Sequence, residues 1–235
     1  MDRDEKVFHE VCEILQKQHI NFWVCHGTLL GIIREGRLLP WDNDIDFAVW
    51  DNETSKEEIF NIFSGNGYKE EKIFGDMDCL HFYGENKKID VSFYKVESEL
   101  SSIKWAIAPE AFISKIYLYC IQVIWEGTDK NITLSTNIFK KIAQIILNKL
   151  SLLFKFALSS KIKKTLYSYA IKLMHYTGYS YPTDLMKFHT IQYNNTKIQV
   201  PIDSEKHLEL TYGDNWKTPK ENYIWHEEAN NLIDL

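Results

Sequence analysis

Four aspartates in two short segments are the residues of this sequence best suited to chemistry. Asp42, Asp44 and Asp46 fall within five residues in the run PWDNDID, and Asp90 lies in the run KKIDVSFY. Carboxylates are ligands for hard cations such as Mg²⁺, and acids this close together repel one another unless a cation lies between them. The pattern predicts a divalent metal site, in which two ions could bind the attacking and leaving oxygens of a phosphoryl transfer.

The predicted metal ligands are placed by β-strand alternation. In the run DIDFAVW, apolar side chains alternate with Asp44 and Asp46, so both carboxylates project from one face of a strand. Asp90 alternates with apolar neighbours in the same way, which predicts Asp44, Asp46 and Asp90 as the metal ligands. Asp42 has the same parity as Asp44 but precedes the strand. An acidic turn and an exposed strand would also explain Asp42, but not two aspartates opposite a wholly apolar face, because Asp is disfavoured in strands.

A glycine turn precedes these acids by one predicted strand. The triplet His26-Gly27-Thr28 follows the apolar run FWVC, and a residue without a side chain lets backbone N–H groups come close to a phosphate. Arg34 and Arg37 lie in the same segment, and a guanidinium suits bidentate contact with phosphate oxygens. We predict that His26, Gly27, Thr28 and Arg34 bind the phosphate of a substrate, whereas Arg37 is as well explained by a solvated surface position.

Helices and strands interleave in the first part of the chain. The predicted helices are 4–19 and 55–63, and the predicted strands are 22–25, 44–50, 67–73, 79–83 and 87–94. This order favours an α/β fold, with residues 1–100 as the catalytic core. Helices are predicted at 109–124 and over 138–175, so residues 101–235 are predicted to be a mainly helical C-terminal part that completes the active site.

Composition narrows the partners and the location. The 235 residues carry a formal net charge of -6, which argues against nucleic acid as the main partner. Four isolated cysteines lack the spacing of a structural zinc site or of a disulfide framework. The charged N-terminal run MDRDEKVFHEVCEIL is not a signal peptide, so a cytoplasmic location is expected.

Lysines are concentrated in one segment without acids. From Lys130 to Thr183 there are nine lysines and no Asp or Glu. At 100° per residue, one arc of about 100° carries the polar positions and the remainder is apolar. The polar positions are Lys140, Lys141, Gln144, Asn148, Ser151 and Lys155, and the apolar ones are Ile142, Ile145, Ile146, Leu150, Leu153 and Phe156.

Two interpretations of this segment remain open. In the first, a helix packs on the catalytic core and turns its lysines to water. In the second, part of 138–172 lies on the anionic inner face of a membrane, where lysines bind lipid headgroups. A transmembrane span is not expected, because lysines interrupt every stretch well before the ~20 apolar residues that a span needs.

With these residues in view, the sequence resembles the LicD/fukutin-related family of the nucleotidyltransferase-fold superfamily. The family pattern, HGTLLG followed by an arginine and then by PWD-x-D-x-D, is matched by residues 26–31, Arg34 and 40–46. A second, weaker signature is matched by Tyr212-Gly213-Asp214-Asn215-Trp216, with Pro219 and His226 beyond it. The resemblance implies a small mixed sheet flanked by helices.

The resemblance also implies a reaction. Family members use Mg²⁺, with Mn²⁺ as an alternative, and a CDP-activated donor such as CDP-choline, CDP-ribitol or CDP-glycerol. CMP leaves, and phosphocholine or a polyol phosphate passes to a hydroxyl of a cell-surface glycan, which can be lipid-linked. By analogy Asp44, Asp46 and Asp90 hold the metal, Gly27 and Thr28 hold the donor phosphate, and Asp42 supports a metal or deprotonates the acceptor. The size of the chain suggests a bacterial member that modifies lipopolysaccharide, capsule or teichoic-type glycans.

Two other functions compete with this one. An ordinary nucleotidyltransferase would move NMP from an NTP onto a small molecule, a protein or an RNA end, but that superfamily shares only the glycine turn and the Asp-x-Asp, not the whole PWDNDID context. A non-catalytic binding module of the same fold is disfavoured, because all three predicted metal carboxylates are present.

Overall fold

The protein, as a computed structural model, is described for residues 3–73, 75–84, 87–107, 109, 111–126 and 138–234. The chain divides into two compact units. The first comprises Met1–Trp105 and Thr177–Leu235, and the second comprises Ala106–Tyr176. The elements in chain order are α1 (Arg3–Lys17), β1 (Phe22–Val24), α2 (His26–Glu35), β2 (Asp44–Trp50), α3 (Lys56–Gly65), β3 (Lys69–Glu71), β4 (Cys79–Gly84), β5 (Lys87–Glu97), β6 (Leu100–Ile107), α4 (Phe112–Glu126), α5 (Ile138–Ala157), α6 (Ser160–Lys172), β7 (His175–Pro182), β8 (Phe188–Tyr193), β9 (Thr196–Pro201), α7 (Ser204–Tyr212), α8 (Trp225–Glu228) and β10 (Leu232–Asp234).

A mixed β-sheet forms the centre of the first unit. Within the described residues, eight strands join it: β1, β2, β5, β6, β7 and β10 follow one another, while β4 pairs with β5 and β3 with β4. Strands β2 and β5 are parallel, and Asp46 lies in register with Asp90. Strands β1 and β4 are antiparallel to them. A separate hairpin is formed by β8 and β9.

Both faces of the sheet are covered. One face packs against α1, α2 and α3 through an aliphatic and Phe-rich core, to which β2 contributes Ile45, Phe47 and Val49. The other face carries an aromatic cluster that includes Trp23, Tyr94, Tyr179 and Tyr181, together with Ala48 of β2. Asp44 and Asp46 have the parity of Ala48, so they project from the aromatic face, near the end where β2 begins.

The predicted fold class, a mixed sheet flanked by helices, is confirmed. Strand β2 has the predicted bounds, and the other predicted elements of residues 1–100 occur with small shifts at their ends. The structure has a helix where the sequence predicted a glycine turn. Helix α2 begins at His26, so Gly27 and Thr28 lie in its first turn. This matters for the site, because the N-terminal N–H groups of a helix are directed at whatever lies beyond it.

The domain boundary in the structure is not the one that we predicted at residue 100. Residues 177–235 return to the first unit, where β7 and β10 extend the sheet and contribute Tyr179 and Tyr181 to its aromatic cluster. The helical part is therefore an insertion, Ala106–Tyr176, rather than the whole of 101–235. Its helices are α4, α5 and α6, and α4 packs against both of the others. Among the helices that the structure describes, none has the length and hydropathy needed to cross a bilayer.

Candidate active site

The first turn of α2 is tied to strand β2 by one threonine. The hydroxyl of Thr28 accepts a hydrogen bond of 2.7 Å from the backbone N–H of Asp46. The backbone N–H and the hydroxyl of Thr28 lie 3.4 and 3.5 Å from the Oδ2 atom of Asp46. Thr28 thus fixes both the strand and the carboxylate against the positive end of a helix, a position that favours negative charge.

Gly27 is the point of closest approach between α2 and the acids. A Cβ atom at Gly27 would lie 2.1 Å from Oδ2 of Asp42 and 3.6 Å from Oδ2 of Asp46. The glycine therefore leaves the space that the Asp42 carboxylate fills. Lys87 stabilises the same turn. Its ammonium donates a hydrogen bond of 2.8 Å to the backbone carbonyl of Asp42 and one of 2.7 Å to the carboxylate of Asp4.

Three carboxylates meet beside this helix end. One oxygen each of Asp42, Asp44 and Asp46 lies within 4.8 Å of the others. Burial, with the hydrogen bond to Asp44 next, raises the pKa of Asp42 to about 7. Burial, followed by the charges of Asp44 and Asp42, also raises the pKa of Asp46 well above its usual range. The cluster is therefore short of positive charge.

Asp90 lies on the neighbouring strand but has cationic partners of its own. Its Oδ1 atom is 2.9 Å from Nδ1 of His81, and its Oδ2 atom accepts from Lys88 at 2.9 Å. Nε2 of His81 lies 2.9 Å from Asp76 on the other side. Burial alone would raise the pKa of Asp90, but the hydrogen bonds from His81 and Lys88 lower it overall. Burial alone would likewise lower the pKa of His81, yet the hydrogen bonds to Asp76 and Asp90 raise it to about 12.

The residues present fit a divalent cation at the first cluster. Asp42, Asp44 and Asp46 offer hard oxygen ligands within 4.8 Å of one another, and the missing side chain of Gly27 lets the Asp42 carboxylate lie against the end of α2. A second group of ligand-type atoms, Cys79, His81 and Asp90, also lies within 4.8 Å. There both ring nitrogens of His81 already contact carboxylates, so that group is explained by hydrogen bonding.

The predicted ligand set is thus only partly brought together. Asp44 and Asp46 group with Asp42, whereas Asp90 faces His81 and Lys88. Lys88 Nζ lies 3.8 Å from Asp44 and so stands between the cluster and Asp90. Asp90 as a metal ligand stays a prediction, and it requires Lys88 to share or leave that carboxylate.

His26 and Arg34 occupy different parts of the structure, and the imidazole of His26 is buried among aromatic rings. The ring of His26 is enclosed by Tyr94, Trp105 and Tyr179, with centroid separations of 5.3–6.3 Å. Burial lowers the pKa of His26 to about 4, so the imidazole is neutral. Its backbone is in the left-handed region, with φ of 46°, which is uncommon for a residue with a side chain. Its predicted contact with a donor phosphate stays a prediction.

Arg34 joins the two sequence signatures. Its guanidinium lies 6.0 Å from the centre of the Trp41 ring, and it donates to the carbonyl of Trp216 at 3.2 Å and to Glu35 at 2.8 Å. Its Nε atom has no hydrogen-bond partner among the described residues. Arg34 lines a cleft of about 460 Å³. The other lining residues are Leu30, Tyr212, Asn215, Trp216, Thr218, Pro219, Lys220, Tyr223 and Glu228.

Three residues of the site were not singled out from the sequence: His81, Lys87 and Lys88. Lys88 could have been found, because it lies two positions before Asp90 and so shares its strand face. His81 is brought to Asp90 by the antiparallel pairing of β4 with β5. A single sequence does not reveal that register, and the same holds for the contact of Lys87 with the turn at Asp42.

Comparison with known proteins finds a family profile that matches the part of the chain containing these residues. Residues 19–115 match the family profile described as LicD/FKTN/FKRP, nucleotidyltransferase domain. That range contains α2, the three clustered carboxylates and Asp90. The resemblance to the LicD/fukutin-related family is confirmed.

Curated relatives match the chain over short stretches. An uncharacterized protein of Rickettsia typhi is 35% identical over 32% of this chain and 27% of its own length. The ribitol 5-phosphate transferase FKRP of Mus musculus is 26% identical over 40% of this chain and 21% of its length. The ribitol-5-phosphate transferase FKTN of Homo sapiens is 29% identical over 36% of this chain and 19% of its length. The match therefore spans about a fifth to about a quarter of these relatives.

Solved structures show a more distant likeness. The crystal structure of ANT(2″)-Ia with adenylyl-2″-tobramycin is 14% identical over 73% of this chain and 98% of that chain, with a TM-score of 0.35. The solution structure of the same antibiotic-resistance factor is 16% identical over 72% and 92%, with a TM-score of 0.36. Both scores are low, and neither bears on the chemistry of the site.

Proposed function

We propose that this chain is a metal-dependent transferase that moves a substituted phosphate from a CDP-activated donor to a hydroxyl of a glycan and releases CMP. The transferred group is phosphocholine or a polyol phosphate, and the acceptor is a cell-surface glycan. The relatives FKRP and FKTN, which are ribitol phosphate transferases, support this class of reaction. Because the match covers only part of those proteins, the identities of the donor and of the acceptor are part of this proposal.

The observation that carries the proposal is the cluster of Asp42, Asp44 and Asp46 at the N-terminal end of α2. A helix end with a glycine in its first turn suits a phosphate, and adjacent buried carboxylates suit the divalent cation that accompanies phosphate. Asp44 and Asp46 would hold Mg²⁺, or Mn²⁺ in its place, with Asp42 beside them. When bound, the cation neutralises charge on phosphoryl oxygens.

The protein residues then have separate roles in the transfer. The oxygen of the acceptor hydroxyl forms a bond to the donor phosphorus that carries the substituent, and the bond from that phosphorus to the oxygen of CMP breaks. The hydroxyl proton passes to a carboxylate oxygen of Asp42. Burial, with the neighbouring Asp44 next, raises the pKa of Asp42 to about 7, and a carboxylate with a pKa near neutrality is suited to accept this proton. Thr28 keeps Asp46 in place during the step.

The cleft beside α2 is the proposed place for the rest of the donor. It begins at Leu30, one turn along α2 from Gly27, and it offers the cations Arg34 and Lys220 together with the rings of Tyr212 and Tyr223. Aromatic faces suit a nucleobase or a quaternary ammonium group, and guanidinium suits phosphate oxygens. Arg34 is thus proposed to bind phosphate oxygens of the donor, the role predicted for it from the sequence.

A donor panel tests the proposal. The protein is incubated with Mg²⁺ and each of CDP-choline, CDP-ribitol, CDP-glycerol and the four NTPs, with a mixed bacterial glycan extract as acceptor. Chromatography of the spent nucleotide is expected to show CMP from at least one CDP compound. Mass spectrometry of the glycan is expected to show the matching mass increase.

The competing function gives a different product. Pyrophosphate from an NTP, with an NMP attached to an acceptor and no CMP from any CDP donor, would replace the proposal with an ordinary nucleotidyltransferase. Asp46→Ala serves as the control for contaminating activity, because the same CMP peak from both proteins could not come from this site.

A further inference from the structure

Helix α5 presents its apolar side outward. Ser151 is 3% exposed, and Asn148 accepts a hydrogen bond from Tyr119 of α4, so these two polar positions of α5 face its neighbour. The side chains of Lys140, Lys141 and Gln144 lie outside the described residues. Leu153 is 67% exposed and Phe156 is 84% exposed. This arrangement differs from the first of the two interpretations that the sequence left open, in which the apolar arc packs on the core and the lysines face water.

The outward face of α5 is continuous. Its large exposed side chains are Ile145, Ile146, Leu150, Leu153, Phe154 and Phe156. At 100° per residue these six positions span an arc of about 180°. Single exposed apolar side chains are ordinary, but a contiguous set of this size marks a binding surface.

Other helices of the second unit add to the exposed apolar surface. In α4 the exposed residues are Phe112, Ile113 and Trp125, and in α6 they are Ile162 and Tyr169. The helices are held together by their own contacts: the hydroxyl of Tyr117 donates to the carbonyl of Leu166, and the rings of Trp125 and Tyr167 are 4.7 Å apart. The apolar side chains are therefore exposed on a packed unit.

Helices α5 and α6 carry charged side chains of one sign. Their exposed lysines are at positions 149, 161, 164 and 172. From residue 131 to Thr183 the sequence contains no Asp or Glu. A surface that combines apolar side chains with unbalanced lysines complements the acyl region and the anionic headgroups of a bilayer.

We propose that the exposed apolar face of Ala106–Tyr176 binds the surface of an anionic lipid bilayer. Leu153 and Phe156 enter the interface, and the lysines contact phosphate headgroups. A second copy of the chain would be a poorer occupant, because a two-fold contact through this face would set lysines against lysines. The inference is independent of the proposed reaction, since no donor or acceptor takes part in it.

Vesicle co-sedimentation of the full chain tests this proposal. Vesicles of phosphatidylcholine with phosphatidylglycerol are compared with vesicles of phosphatidylcholine alone, at low and high salt. The wild type is expected to sediment with the anionic vesicles and to be released by salt. Replacing Lys161, Lys163 and Lys164 by Gln is expected to weaken binding on the order of 100-fold, because each lysine near such a surface contributes roughly fivefold.

Matched variants separate the surface from general charge effects. Leu153→Glu with Phe156→Glu should abolish binding. Val96→Glu with Ile202→Glu adds the same charge at exposed apolar positions of the first unit and should leave binding intact. Lys17, Lys69 and Lys197, changed together to Gln, are the corresponding lysine control.

The outcomes are distinct. Circular dichroism and thermal melting first establish that each variant is folded. Absence of wild-type binding, equal recovery with neutral and anionic vesicles, or equal losses in the test and control variants would overturn the proposal. A lipid-free dimer in analytical ultracentrifugation that Phe156→Glu dissociates would also overturn it and assign the face to self-association.

Discussion

Gly27 and Asp42 fit together so closely that a Cβ atom on the glycine would lie 2.1 Å from the carboxylate oxygen Oδ2. The two residues come from different parts of the motif, one from the first turn of α2 and one from the turn before β2. Their contact brings the third carboxylate of the cluster against the end of the helix. It also gives the glycine a role in placing Asp42 in addition to its role in approaching phosphate.

Gly27→Ala is expected to displace Asp42 and to lower transferase activity at least ~10-fold, because a misplaced catalytic group commonly costs that much or more. The melting temperature should change little, since the carboxylate can rotate away toward solvent. The control is Gly65→Ala, where an added Cβ meets no atom within 4 Å. Full activity in Gly27→Ala would show that the position of Asp42 is unimportant.

Thr28→Val is expected to destabilise the fold by about 1–3 kcal/mol, because the buried backbone N–H of Asp46 loses its acceptor. Thr28→Ser keeps the hydroxyl and should stay near the wild type. Urea unfolding measures the stability, and CMP release measures the activity. If Thr28→Val equals Thr28→Ser in both, the hydroxyl is not what positions Asp46.

His81→Gln is expected to destabilise the protein by about 3 kcal/mol, as expected when one partner of a buried charged group is removed. His81 is 2.9 Å from both Asp76 and Asp90, and its side chain is 4% exposed. Lys197→Gln is the control, because its side chain is exposed. Equal unfolding midpoints for these two variants would contradict the charged contacts assigned to His81.

The protein is expected to lose stability in acid because of the buried His207. Burial, with the charge of His26 next, lowers its pKa from 6.5 to about 3. Between those values the unfolded chain binds a proton that the folded protein does not, so the free energy of unfolding falls as the pH drops below about 6.5. The slope from one such histidine is at most about 1.4 kcal/mol per pH unit.

His207→Phe should reduce that slope while it keeps the stacking on Tyr181, whose ring centre is 4.0 Å away. His189→Phe is the control, because His189 is exposed. Denaturant unfolding at pH 7, 6, 5 and 4 gives the slopes. An unchanged slope in His207→Phe would mean that His207 becomes protonated in the folded state.

The sequence predicted the parts of the site that depend on local pattern. Strict alternation placed Asp44 and Asp46 on one face of a strand with the bounds that β2 has. The parity of Asp90 placed it on the same side of the sheet, and the parallel register sets it beside Asp46. These predictions succeeded because alternation in a strand follows from backbone geometry alone.

The strands that the sequence did not predict depend on pairing between distant parts of the chain. Strand β10 is three residues long and β7 is rich in tyrosine, so neither has the alternation of a typical strand, and both are stabilised by pairing with each other. Their return to the sheet is why the predicted boundary at residue 100 is wrong. The sequence left the orientation of α5 open between two interpretations, because a helical pattern gives the apolar arc but not the side on which a neighbour packs.

The most direct test of the account is CMP release from the CDP donor by wild type and Asp46→Ala, each with Mg²⁺ and with EDTA. Asp46 belongs to a cluster of carboxylates that repel one another, so its loss should leave the fold intact and lower turnover at least ~100-fold. Release of CMP by the wild type with Mg²⁺, and by no other combination, is the predicted result. Release that persists in EDTA, or in Asp46→Ala, would contradict the assignment of this cluster as the metal-dependent active site.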